Sequence, residues 1–280
     1  MEIQKVGIAG FGTMGREIAL ISALAGMQTV VFEVMDAVIS DGLAKLEKVV
    51  RLVARELTDD ERKEVLSRIA VSNEIENLAQ CELVIEAIFE SYEEKEKLLR
   101  RLGEMLGKSA IAGTNTSSLS VTRLGRAFGR QENFIGIHFF NPPTQMKLVE
   151  IVPGLLTSED TKNTAVEFVK KLGKTPIVVK ETPGFVVNRV LIAMAIEAVR
   201  LAEAGIAQVE EIDEAMRLGA GWPIGPFKLM DLVGLDIFLN ACEAIYQELG
   251  DSKFKPPLML KKLVEAGLLG RKTGRGFYTY

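Results

Sequence analysis

Residues 5–26 read KVGIAGFGTMGREIALISALAG, and this stretch decides the architecture of the first half of the chain. A short apolar run ends at Gly10. Gly10, Gly12 and Gly15 then fall at G-x-G-x-x-G spacing, an amphipathic segment follows, and Gly26 stands where a helix would end. The next run, QTVVFE, is β-branched and ends on Glu33, 23 positions after Gly10. A glycine triplet alone says little. A triplet that leaves a strand and opens a helix, with an acid closing the next strand, has specific mechanics. Gly10 permits a sharp turn, Gly12 lets the backbone approach a pyrophosphate, and Gly15 lets the helix pack on the strand. The unbonded N–H groups of the helix start then face the phosphates. Glu33 offers its carboxylate to both ribose hydroxyls and repels a 2′-phosphate, and neither Val34 nor Met35 supplies a cation to welcome one. The expectation is a Rossmann-type dinucleotide-binding domain that takes NAD rather than NADP.

Further strands follow at the spacing of an α/β fold. CELVIEAI (81–88), SAIAGTNT (109–116), NFIGIHFF (133–140) and MKLVEIV (146–152) continue the sheet, with a helix over SYEEKEKLLRRLGEML. Ligands of such sheets bind beyond the carboxyl ends of the strands, which points to Glu86, the TNTSS run and the residues after His138. Before residue 70 an insertion reads as a helical pair. Its first helix puts Lys45, Lys48, Arg51 and Arg55 on one side and Leu43, Leu46, Val49, Val53 and Leu57 on the other. Such a stripe is either a solvated face or a handle for an anionic substrate. After TPIVVKETPGFVVNR the strand pattern gives way to helical periodicity, broken at Gly205, Gly219 to Gly221 and Gly225. The chain therefore divides into an α/β domain over 1–182 and a smaller all-helical domain over 183–280, with Pro183 opening the second. A helical domain in this place supplies a substrate-side wall and an oligomer interface.

Composition narrows the partners. The 280 residues are 48% hydrophobic and 26% charged with a net charge of -4, and basic and acidic residues interleave. Neither nucleic acid nor a membrane surface fits that balance. Cys81 and Cys242 stand far apart, without the spacing or the second histidine of a metal site, and read as reduced, buried thiols. No apolar run reaches membrane-spanning length and the start has no leader pattern, so the expected location is the cytoplasm and no metal is expected.

Residues 136–143, GIHFFNPP, hold the only histidine, His138. A lone imidazole at a strand end is either a structural group or a base that works near neutral pH. The blocks around it settle a resemblance: GFGTMG (10–15), LVIEAIFE (83–90), TNTSSLS (114–120), HFFNPPTQMKLVEIV (138–152), ETPGFVVNR (181–189), GWPIGPFKLMDLVGLD (221–236) and GLLGRKTGRGFYTY (267–280). Together, and in this order, the chain resembles the 3-hydroxyacyl-CoA dehydrogenase family, in particular its short, single-function bacterial members that act on 3-hydroxybutyryl-CoA.

That resemblance implies NAD-dependent oxidation of an L-3-hydroxyacyl-CoA, or the reverse reduction. It implies His138 as general base with Glu150 as its carboxylate partner, and Ser117 and Asn188 beside the substrate oxygen. It also implies dinucleotide contacts from Gly10, Gly12, Thr13, Met14, Gly15, Glu33, Glu90, Lys95, Asn115, Ser117 and Asn141. A homodimer is the expected assembly. In place of the lysine-rich segment that the family associates with the CoA end, residues 53–62 read VARELTDDER, largely acidic. The expected CoA handle therefore moves to Lys48, Arg51 and Arg55. Two alternatives stand beside this reading: a relative that oxidises a hydroxy acid without CoA, which the acidic segment favours, and a catalytically idle NAD-binding relative.

Overall fold

The β-branched runs read from the sequence become strands of one sheet in the structure, a computed structural model that describes residues 2–280. In chain order the sheet's strands, with β3 added to those read from the sequence, are β1 (Lys5–Ala9), β2 (Gln28–Phe32), β3 (Ile69–Ser72), β4 (Leu83–Glu86), β5 (Ile111–Thr114), β6 (Phe134–Phe139), β7 (Leu148–Pro153) and β8 (Thr175–Val178). Their spatial order is β3-β2-β1-β4-β5-β6-β7-β8. The strands from β3 to β6 are parallel, whereas β7 runs antiparallel to β6 and β8 runs parallel to β7. Residues 140–147 are too short for the crossover that a parallel pair needs, so β6 and β7 form a hairpin-like pair. That reversal has a consequence for chemistry, because it sets His138 directly opposite Glu150.

Six helices accompany the sheet: α1 (Thr13–Leu24), α2 (Asp36–Val53), α3 (Asp59–Ser67), α4 (Tyr92–Met105), α5 (Val121–Phe128) and α6 (Glu159–Lys171). The main core joins β1, β2 and β4 to β7 with α1 and α6. A smaller core gathers Leu20 and Ala23 of α1, Leu46 and Val50 of α2, and Val65 of α3. The apolar face expected on α2 is thus turned at its start: Leu43 is 44% exposed. Gly42 points inward instead, where a Cβ would meet the Phe11 ring at 2.5 Å. The acidic run 53–62 is where α3 begins. Thr58 caps the helix, Glu61 completes a capping box, and Asp59 and Asp60 pair with Arg62 and Lys63, all as a helix N-terminus favours.

Contacts divide the chain into Met1–Thr182 and Pro183–Tyr280. The second unit holds α7 (Val187–Glu203), α8 (Val209–Gly219), α9 (Pro226–Val233), α10 (Leu235–Leu249) and α11 (Leu258–Glu265) around its own core. Two buried aspartates knit it. Asp213 accepts from the amides of Phe227 (2.8 Å) and Lys228 (3.1 Å) at the start of α9 and from the Tyr278 hydroxyl (2.8 Å). Asp231 accepts from the amides of Phe277 and Tyr278, both at 2.9 Å, and from the Tyr280 hydroxyl at 3.1 Å. A Cβ on Gly276 would stand 2.1 Å from Asp231 Oδ1, so glycine is required for the terminal backbone to come this close. The two glycine-rich blocks of this half lock each other.

Both cysteines are free and buried, and burial pushes the Cys81 thiol up to about 11 and that of Cys242 up to about 12. Among the described residues no helix is long and apolar enough to cross a membrane.

Candidate active site

The dinucleotide cradle is built as its glycines require. Gly10 adopts φ +107°, and a Cβ there would lie 2.7 Å from the Ala87 carbonyl oxygen. A Cβ on Gly15 would lie 2.0 Å from the Gly10 oxygen, so glycine lets α1 press against the turn. Gly12 faces open space, with nothing within 4 Å of a Cβ position, as close backbone approach by a phosphate demands. Thr13 and Met14 form the first turn of α1, whose N-terminal amides carry the partial positive charge of the helix. The turn also sets the acid: the Phe11 amide donates to Glu33 Oε2 at 3.0 Å and the Met35 amide to Oε1 at 3.1 Å.

A cavity of about 530 Å³ opens here, lined by Gly10, Gly12, Glu33, Met35, Lys97 and Arg101 among others. Lys97 and Arg101 were not singled out from the sequence, where only the neighbours of Glu33 had been weighed. They come from α4, and their signal is helical: Glu94, Lys97, Leu98 and Arg101 recur at the spacing of one face. Two cations thus line the pocket that Glu33 guards, one of them, Arg101, held by Glu76.

At the carboxyl ends of β4 and β5 lies a buried polar knot. Lys95, 1% exposed, donates to Glu86 Oε1 at 2.6 Å, to the Ile88 carbonyl at 3.3 Å, and pairs with Glu90 Oε2 at 3.2 Å. Thr114 donates to Glu86 Oε2 at 2.7 Å. Glu90 Oε1 collects the Thr116 hydroxyl (2.5 Å) and the Ser117 amide (3.0 Å) and so shapes the TNTSS turn. Burial raises the Glu86 carboxyl above its ordinary value despite Lys95. For Glu90 burial also pushes upward, but the Lys95 ammonium and the turn's donors outweigh it and hold the carboxyl below its ordinary value. Lys95 in this arrangement positions Glu90, and through it Ser117. Asn115 is half-buried and its Oδ1 accepts from the Phe139 amide at 2.9 Å, tying this turn to the end of β6.

His138 and Glu150 face each other across β6 and β7. His138 is 5% exposed, and its Nδ1 lies 2.8 Å from Glu150 Oε2. An Nδ1–H donated to this carboxylate would orient the ring, and the carboxylate charge would stabilise an imidazolium. The Phe140 ring packs on the imidazole with centroids 4.6 Å apart. Thr114 of β5 registers with Gly136 of β6, so Ser117 and His138 both lie just past that pair, toward the carboxyl ends of these strands. Asn141 follows on the exposed loop after β6.

The remaining expected residues belong to other elements. Asn188 is in the first turn of α7, in the helical unit, and half-exposed. Lys48 and Arg51 are exposed on α2, while Lys45 is taken by Asp41 at 2.7 Å and Arg55 Nε donates to the Leu52 carbonyl at 3.1 Å. Among the described residues no cluster of metal-ligating side chains occurs.

Comparison with known proteins supports the same reading from end to end. The family profile described as 3-hydroxyacyl-CoA dehydrogenase, NAD binding domain, matches residues 5–182, and the C-terminal domain of the same family matches 184–280. A 3-hydroxybutyryl-CoA dehydrogenase of Bradyrhizobium diazoefficiens is 44% identical over 280 residues, covering 99% of this chain and 96% of that protein. The mitochondrial hydroxyacyl-coenzyme A dehydrogenase of Sus scrofa is 39% identical, covering 99% and 91% of the two chains. The crystal structure of (S)-3-hydroxybutyryl-CoA dehydrogenase from Ralstonia eutropha superposes with a TM-score of 0.97 at 43% identity, covering 100% and 99%. With its glycine cradle, its His138–Glu150 pair and both domain profiles in sequence, the chain belongs to the 3-hydroxyacyl-CoA dehydrogenase family.

Proposed function

We propose that this enzyme oxidises (S)-3-hydroxybutyryl-CoA and other short (S)-3-hydroxyacyl-CoA thioesters to the 3-ketoacyl-CoA, and catalyses the reverse reduction. The observation that carries the proposal is the buried 2.8 Å pair of His138 and Glu150, on the side of the sheet where the parallel strands end and the glycine cradle follows β1. Bound NAD would supply the hydride acceptor for the carbinol carbon. Gly10, Gly12, Gly15, Thr13 and Met14 hold its pyrophosphate and Glu33 its ribose. His138 Nε2 removes the hydroxyl proton, and Glu150 stabilises the charge that the ring acquires. In reduction the imidazolium returns that proton, with Ser117 and Asn188 donating hydrogen bonds to the developing alkoxide. Glu90, Lys95, Asn115 and Asn141 complete the nicotinamide side of the site.

Lys48 and Arg51 of α2 are the proposed grip on the anionic end of CoA. The acidic residues 53–62, which had favoured a substrate without CoA, are accounted for by the start of α3. Exposed apolar side chains on the helical unit, among them Ile206, Leu218 and Ile237, offer surface for a homodimer, and the proposed location is the cytoplasm.

The test is consumption of NADH with acetoacetyl-CoA, beside free acetoacetate and beside NADPH. Turnover confined to the thioester, with at least about tenfold preference for NADH, is expected. Equal turnover of free acetoacetate would replace the CoA substrate with a simple keto acid, and no turnover of either would leave an idle NAD-binding relative. Charge reversal at Lys48 and Arg51 is expected to raise KM for acetoacetyl-CoA and leave that for NADH unchanged.

A further inference from the structure

The loop between the base and its carboxylate is gripped from two sides by charges that the reaction itself does not use. Glu17, one turn into α1, is 7% exposed. Its Oε2 accepts from both the Thr144 amide, at 3.1 Å, and the Thr144 hydroxyl, at 2.6 Å. From the other side the Lys174 ammonium donates to the carbonyls of Pro143, at 2.5 Å, and Met146, at 2.7 Å, which flank Thr144. Glu17 and Lys174 also sense each other: burial lowers the ammonium below its ordinary value, and the Glu17 charge opposes that. Within the loop, the amides of Gln145 and Met146 turn back to the Pro142 carbonyl at 3.0 Å.

We infer that Glu17, Thr144 and Lys174 form a clamp that fixes the loop 140–147 to the helix of the dinucleotide cradle, and that Glu17 and Thr144 are positioning residues for the dehydrogenase reaction. The inference rests on the proposed function, since it concerns the efficiency of that chemistry. Glu17 lies on the helix whose first turn receives the pyrophosphate, and Thr144 lies three residues beyond Asn141 and six before Glu150. One carboxylate therefore links the element that places the cofactor to the segment that joins the two members of the dyad. A tie needed only for stability could be apolar. A nearly buried carboxylate spent on two hydrogen bonds to one threonine gives direction as well as attachment, because both donors must point at the same oxygen. Reacting groups misplaced by an ångström lose up to about 10²-fold in rate, so a fixed loop has a kinetic value.

The test compares Thr144→Val, Thr144→Ser and Glu17→Gln with the wild type in acetoacetyl-CoA reduction. Thr144→Val is expected to lose about tenfold in kcat, a fraction of that positional limit, while Kd for NADH stays within about twofold. The primary isotope effect with deuterated NADH should rise, because misalignment slows the hydride step itself. Thr144→Ser, which restores the hydroxyl, should return kcat to within about twofold of wild type. Glu17→Gln keeps an acceptor oxygen without the charge and should fall between them; it serves as the main probe where Thr144→Val lowers the folded fraction by circular dichroism. Wild-type kcat in both Thr144→Val and Glu17→Gln overturns the clamp. So does a loss equal to the unfolded fraction, or an unchanged isotope effect with NADH affinity falling in proportion. A wild type without acetoacetyl-CoA activity sinks the functional proposal instead, whereas an active wild type with indifferent variants sinks the clamp alone.

Discussion

A single imidazole is enough for alcohol oxidation if its second nitrogen is held by a charge, and the pair at His138 and Glu150 meets that condition at 2.8 Å. His138→Gln should keep NADH binding, whose proposed pyrophosphate and ribose contacts lie on other loops, and lose about 10²- to 10⁴-fold in kcat, the usual contribution of a positioned base. Glu150→Gln keeps shape and one hydrogen bond but removes the charge, so its loss should also fall on kcat. The double variant should be little worse than His138→Gln, since the two act as one unit. Steady-state kinetics with NADH titrated by fluorescence decides it; losses that multiply would refute the dyad. Glu33 carries a second prediction at this scale. Because Lys97 and Arg101 already line its pocket, Glu33→Gln removes a repulsion beside cations that stand ready. The variant should accept NADPH with a preference for NADH reduced by about tenfold, roughly 1.4 kcal/mol. An unchanged ratio of kcat/KM for the two nucleotides would show that the acid is not the gate.

Elements explain which of these features the sequence could reveal. The glycine cradle and its acid were legible because their jobs are local: spacing along 24 residues, from Gly10 to Glu33, encodes the turn, the helix start and the next strand. The roles proposed for His138 and Glu150 come only from the resemblance, but their juxtaposition follows from β6 and β7 pairing antiparallel over a short connection. What pattern reading could not reach was contact between distant elements. Glu17 meets Thr144 across 127 residues, and nothing in the period of α1 marks its carboxylate as different from a solvated one. β3 escaped notice because four residues at the sheet edge, three half-exposed and Ala70 exposed, give little hydrophobic contrast. The TNTSS turn after β5 depends on Glu90 in the same non-local way, and pH exposes it. A carboxyl held below its ordinary value stabilises the fold fully above the unfolded value, and that stability is lost as pH falls through the lower, folded one. Glu90→Gln should therefore cost up to about 1 kcal/mol near pH 7, because the side chain is 36% exposed and solvent screens its contacts, and much less in acid below the ordinary carboxylate range. Urea unfolding of both proteins at the two pH values measures the gap; one that does not narrow in acid would show that Glu90 is not the charged acceptor of the turn.

At the scale of the whole molecule the chain is two units with separate cores, and the aspartates of the second explain why its motif blocks need glycine at 225, 270 and 276, where a Cβ would meet Asp213 or Asp231. Asp231, 1% exposed, accepts from two backbone amides and one hydroxyl of the terminal segment, while Gly276 leaves room for that approach. The Phe277 ring then packs edge-on against Phe227 with centroids 4.7 Å apart, joining the segment to the helical core. Asp231→Asn preserves shape but turns one acceptor oxygen into an amide donor, which must then face a backbone N–H or the tyrosine hydroxyl. At least one buried donor is left unsatisfied, at a cost of about 1–3 kcal/mol. That cost falls on a unit of fewer than a hundred residues, for which each kcal/mol shifts the melting temperature by about 4–8 °C. Differential scanning calorimetry should show the helical unit's transition lowered by several degrees, while Kd for NADH, which depends on the cradle of the first unit, stays within about twofold. A melt that does not move would mean that the terminal segment is held by its aromatic packing alone, and that the charge of Asp231 is dispensable to the fold.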